Sequence, residues 1–129
     1  MTQRPGPAPS IPPRKSGFAH FIAASKYSFA GFRRILRESA FRQELVGGGL
    51  ALLMLVLFAP SKSRILVYLI AFMILLAIEA LNTALEELVD HLSPQWTEFG
   101  KNAKDLGSFA VACTIGAVAL AFLWALWGG

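Results

Sequence analysis

Three long apolar runs, separated by short polar stretches, decide what this chain can fold into. The second, from Ile65 to Val89, is the most constraining. Its roughly 25 residues reach about 37 Å as a helix, enough to cross the hydrocarbon of a bilayer. The third runs from about Leu106 to Trp127, with Trp124 and Trp127 placed like an interfacial belt. The first, Leu45 to Ala59, is short and gains length if Glu38 to Glu44 is helical as well. Pro60 closes it, and Ser61 to Arg64 form a polar turn. An apolar share of 55% and a mean hydropathy of +0.54 exceed what a soluble domain needs for its core. Bilayer is therefore part of the solvent.

Before the first run, Phe18, Ile22, Phe29, Phe32 and Leu36 fall within about 80° of one another at 100° per residue. Lys26, Arg33, Arg34 and Arg37 lie along the other flank. A basic amphipathic helix beside membrane spans reads as one lying on the headgroups, residues 17–37. The rival is a soluble amphipathic helix packed on protein. The net charge of +4, gathered early, suits anionic lipid better than nucleic acid, for which no fold signature is present. Met1 to Pro13 is proline-rich without an apolar core, so residues 1–16 are expected to be a disordered tail and not a secretory signal. The architecture expected is all-α: a surface helix, then spans over about 38–59, 65–89 and 106–127, in one domain of residues 17–129. Lysines and arginines cluster near the N-terminus and recur at Lys101 and Lys104, while the C-terminus has none. By the positive-inside rule the N-terminus and the loop from Asp90 to Asp105 face the cytoplasm.

The chemistry concentrates in the second span. Taking Glu79 as zero, Asn82 lies at about −60°, Glu86 at −20° and Asp90 at +20°, one polar face; Glu87 stands about 80° away, a solvated charge. Glu79 is about 10 Å deeper than Glu86. A charge near mid-bilayer costs on the order of 3 kcal/mol, so Glu79 must face protein, water or metal. A polar seam that only joins helices is the bland alternative, but neutral side chains would join them at lower cost. Two further clusters flank the spans. Glu38 to Glu44 holds Glu38 and Arg42 at i, i+4, a spacing that suits a surface pair. Ala103 to Ser108 places Lys104 and Asp105 at the entry to the third span. Gly47, Gly48 and Gly49, and the small-residue stripe Cys113, Ala117, Ala121 and Ala125, are packing surfaces. Cys113 is the sole cysteine, which excludes an intrachain disulfide. No GxxxxGK[ST] loop occurs, so a P-loop enzyme is excluded. Phosphoryl transfer needs magnesium, a basic group on the phosphates and a carboxylate for the acceptor's proton. The residues allow such an enzyme without requiring one, and a proton-coupled transporter carried by Glu79 stays open.

At these three motifs, the runs from Glu38 to Glu44, from Glu79 to Glu86 with Asp90, and from Ala103 to Ser108, the chain resembles the bacterial diacylglycerol kinase family. The resemblance covers about residues 17–127. It implies a homotrimer in the inner (cytoplasmic) membrane, with MgATP as phosphoryl donor and diacylglycerol as acceptor at sites shared between subunits. It implies Glu79 as general base and Glu38 with Glu86 as magnesium ligands. Nucleotide contacts would come from His20, Tyr27, Glu38, Glu86, Lys104 and Asp105. Ala40, Phe41, Arg42, Gln43, Glu44, Glu79 and Ser108 would meet the lipid, with Asn82 and Asp90 in support. His20 stands where relatives often have arginine, and Phe29 where they often have tryptophan. A branch of the family resembles an undecaprenol kinase; the run from Ala40 to Glu44 looks more like the diacylglycerol branch.

Overall fold

A computed structural model describes residues 17–59 and 61–127. The proline-rich tail of residues 1–16 and the break expected at Pro60 lie outside the described residues. The described chain is helical throughout: α1 Phe18–Ile35, α2 Ser39–Phe58, α3 Lys62–Leu92 and α4 Glu98–Trp127. Two compact units divide it, residues 1–33 and 34–129.

In the first unit, α1 leaves Phe21, Ile22, Phe29 and Phe32 exposed. Ile22 and Phe29 share a shallow groove with Lys26 and Arg33. Uncovered apolar rings with basic neighbours suit a helix bedded in headgroups.

The second unit holds the three apolar helices. Each is long and apolar enough to cross a membrane. α2 has 20 residues, about one bilayer thickness, whereas α3 has 31 and α4 has 30, about 45 Å each. Their extra turns have a physical cause. Hydropathy ends where lipid ends, but a backbone helix continues as long as its amides stay paired. Thr97 caps α4 by accepting the Gly100 N–H on Oγ1 at 3.1 Å, and Glu98 sits in the first turn, where the helix dipole favours an acid. The loop expected from Asp90 to Asp105 therefore shrinks to residues 93–97, and Lys101, Lys104 and Asp105 stand on helix.

α3 packs chiefly on α4 and next on α2. The shared core is Leu55, Tyr68, Phe72, Leu75, Val111 and Ala125. Of the three adjacent glycines, Gly48 alone is needed for packing: a Cβ there would collide with the Phe72 ring, while Gly47 and Gly49 face open space. Tyr68, wholly buried, donates its hydroxyl to Gly48 O at 2.8 Å, which ties α3 to α2. Its ring stacks on Phe72 at 6.0 Å and meets Phe122 edge-on at 6.1 Å. In the small-residue stripe, Ala125 is buried but Cys113 and Ala117 are exposed. Arg64 lies over the Trp124 ring, 5.5 Å from its centroid, joining the start of α3 to the end of α4.

Candidate active site

α2 begins at a corner. The last turn of α1 tightens through Arg37 N–H to Arg34 O and Glu38 N–H to Ile35 O, at 3.1 and 2.9 Å. Glu38 follows in extended conformation (φ −74°, ψ 131°) as the N-cap of α2, yet its carboxylate caps no amide. Arg34 holds it instead, Nη1 to Oε1 at 2.6 Å, and donates its other terminal nitrogen to Glu87. The hydrogen bond that Arg34 donates to Glu38, reinforced by the charge of Glu87, raises the Arg34 guanidinium above its ordinary pKa. Arg42 does not pair with Glu38 as the i, i+4 spacing suggests. Its Nη1 donates to Leu36 O at 3.2 Å and Arg37 O at 2.7 Å, because the main-chain carbonyls at the helix break lack partners and compete for the guanidinium.

Beside this corner lies a cavity of about 460 Å³, walled by α2, α3 and α4. Glu38, Ala40, Gln43, Glu44, Glu79, Asn82, Glu86 and Ser108 line it, and Val111 and Ile115 give it an apolar side. Four carboxylates thus meet in one hollow. Glu79 is only 5% exposed, the one charged residue among the buried described residues. It lies close enough to Glu44, Glu86 and Glu38 for like charges to repel. Asn82 donates Nδ2 to Glu86 Oε1 at 3.0 Å, one turn along α3. Among the described residues two buried polar side-chain atoms have no partner, Glu44 Oε2 and Asn82 Oδ1, and both residues face the cavity. Two buried acceptors in this hollow are thus left short of donors.

Gly107 on α4 makes this arrangement feasible. A Cβ there would strike Asn82 Oδ1 and crowd Leu85. The motif from Ala103 to Ser108 contains this glycine, but only the α3–α4 crossing reveals its role.

A second cleft, about 300 Å³, opens one helical turn beyond Glu86, between the end of α3 and the start of α4. Asp90, Lys104, Asp105, Lys101 and the exposed Trp96 line it. Lys104 pairs with Asp90, and Lys101 with Asp105.

The predicted residues are thus distributed as follows. Glu38, Ala40, Gln43, Glu44, Glu79, Asn82, Glu86 and Ser108 share the cavity, and Asp90, Lys104 and Asp105 share the cleft beyond it. Phe41 is buried, and Arg42 is engaged at the corner. His20 and Tyr27 belong to the first unit, where both are exposed. From sequence, Arg34 stands only on the basic flank of α1, Glu87 is a solvated charge and Gly107 has no role of its own. In the structure Arg34 and Glu87 are paired, and Gly107 makes room for Asn82. Among the described residues no three His, Cys, Asp or Glu side chains gather as a metal cage.

A membrane-crossing helical protein with a buried acid in a carboxylate-rich hollow is built for chemistry on something that lives in the bilayer. The family follows from comparison: the profile of the prokaryotic diacylglycerol kinases matches residues 26–126, and the chain belongs to that family. A diacylglycerol kinase of Sinorhizobium sp is 42% identical over 102 residues, 79% of this chain and 74% of that protein. The Escherichia coli K12 diacylglycerol kinase is 34% identical over 118 residues, 87% of this chain and 93% of its own length. That of Pseudomonas aeruginosa is 34% identical over 104 residues, 78% of this chain and 85% of the relative.

Proposed function

We propose that this protein transfers the γ-phosphate of ATP to the hydroxyl of diacylglycerol, giving phosphatidic acid at the cytoplasmic face of the inner membrane. The observation that carries this reading is the buried Glu79 sharing one hollow with Glu38 and Glu86, in a chain of this family.

Glu79 takes the proton of the lipid hydroxyl as that oxygen bonds to the γ-phosphorus. The bond from the γ-phosphorus to the bridging oxygen breaks, and ADP leaves with that oxygen. The acyl chains lie toward the apolar side of the cavity, at Val111 and Ile115, which directs the hydroxyl to the acid. Ala40, Gln43, Glu44 and Ser108 border the same hollow and position the headgroup, with Phe41 and Arg42 shaping the start of α2 behind them. Lys104 exchanges Asp90 for phosphate, and Asp105 serves the rest of the nucleotide. Trp96 offers a flat ring in the same cleft.

The donor set fits magnesium. Glu38 and Glu86 are hard oxygen ligands, each with one oxygen engaged by Arg34 or Asn82 and the other left for a cation. With Glu38 and Glu86 as its protein ligands, such an ion would keep water and phosphate oxygens in the rest of its shell. When bound, magnesium neutralises charge on the transferring phosphate. Three helices alone give the carboxylate-lined hollow little enclosure, which supports self-association, as the homotrimer that the family resemblance implies. The N-terminal basic residues support an N-terminus in the cytoplasm.

Purified protein in mixed micelles with γ-labelled ATP, magnesium and diacylglycerol is expected to yield labelled phosphatidic acid. An intact assembly that labels no lipid overturns the proposal. Undecaprenol in a parallel arm is expected to be the poorer acceptor, in line with the names of the relatives.

A further inference from the structure

Among the described residues, Arg34 is the one arginine that grips two carboxylates. Its planar guanidinium spans Glu38 at the start of α2 and Glu87 on α3. Glu38 lines the cavity; Glu87 does not, standing about 100° around α3 from Glu86. Glu38 caps no helix amide, so the side chain has no backbone anchor of its own. All three groups are substantially exposed, with side-chain accessibilities of 44%, 37% and 52%. Exposed pairs add little to stability, so a structural account leaves the triad without a purpose.

We propose that Arg34 is a positioning residue that fixes Glu38 for a divalent cation, and that Glu87 keeps Arg34 in place. The charges explain why three groups are used. Arg34 alone beside Glu38 would cancel the acid's charge and weaken its hold on a cation. With Glu87 included the triad keeps a net charge of −1, the same as an isolated Glu38, but with its geometry set. One oxygen of Glu38 is held by Arg34, and the other would be left to take the cation. The inference rests on Glu38 being a metal ligand.

The test titrates the full protein in detergent with the Mn2+ complex of a non-hydrolysable ATP analogue, reading bound Mn2+ by EPR. Arg34→Gln is expected to weaken Mn2+ binding about ten-fold, the scale seen when a partner of a metal ligand is lost. Glu87→Gln should act in the same direction and more weakly, about three-fold. The double variant should match Arg34→Gln alone, because Glu87 acts only through Arg34. Arg34→Lys, with a charge but no fork, should recover part of the loss. The rate at saturating magnesium should stay within about two-fold of the parent in each case, whereas a merely structural role would lower it without moving the cation requirement. Arg34→Gln binding Mn2+ as tightly as the parent, or an additive double variant, overturns the positioning role. If Arg34→Gln does not fold, unchanged binding in Glu87→Gln overturns it equally. Glu38→Gln separates the two claims: if it leaves Mn2+ binding intact, the ligand role of Glu38 fails; if it weakens binding and Arg34→Gln does not, only the positioning role fails.

Discussion

The half of the bundle near the α2–α3 turn and the half near the α3–α4 turn treat buried polar groups in opposite ways. Toward the first turn, Tyr68 is sealed among Leu55, Phe72 and Phe122, and its one polar atom finds Gly48 O. Toward the second, Glu79 is buried beside three other acids while Glu44 Oε2 and Asn82 Oδ1 go unpaired. A protein built only to persist would satisfy both halves. The satisfied half ties the helices together, and the unsatisfied half is the one to which the proposed function assigns the reactants.

Substitutions can break or sharpen that contrast. Glu79→Gln keeps shape and removes basicity; the turnover rate should fall about 10³-fold while gel filtration shows an unchanged assembly. Glu86→Gln should raise the magnesium concentration for half-maximal activity by about 10- to 100-fold, with an unaltered requirement arguing against ligation. Gly107→Ala displaces Asn82 from Glu86, and activity should drop about ten-fold without loss of fold by circular dichroism. Across the divide the signs reverse. Gly48→Ala drives a methyl into the Phe72 ring and should destabilise by about 2 kcal/mol in a denaturant titration, with activity near normal while folded. Tyr68→Phe, which removes one buried hydrogen bond, should cost about 1 kcal/mol by the same measurement. Should Gly48→Ala abolish turnover in a folded assembly, the two halves are not separable.

The sequence disclosed one half of this contrast better than the other. Helical phase places Glu79, Asn82 and Glu86 on one face because the 100° step is a local property, and all three line the cavity. The three spans were equally legible, since lipid demands long apolar runs. Helix ends were not: the turns past Val89 and before Leu106 are polar, and their stability comes from caps such as Thr97. Pairing was least legible. Spacing suggests Glu38 with Arg42, but Arg34 reaches Glu38 and a Glu87 that is 53 residues distant, and Arg42 goes to main-chain carbonyls. Arg34 and Arg42 both stand four residues from Glu38, so local spacing leaves that choice open, and only the Glu87 contact is wholly hidden from it. The need for glycine at 48 and 107 was hidden likewise, set by a ring and an amide arriving from α3.

Arg42 reaches backward, to carbonyls five and six residues nearer the N-terminus. A fastening of that kind is absent until its own side chain exists and α2 has wound its first turn. During synthesis the bend at residues 36–38 has its own turn hydrogen bonds and the Arg34–Glu38 pair first, and gains this second fastening only once α2 has begun.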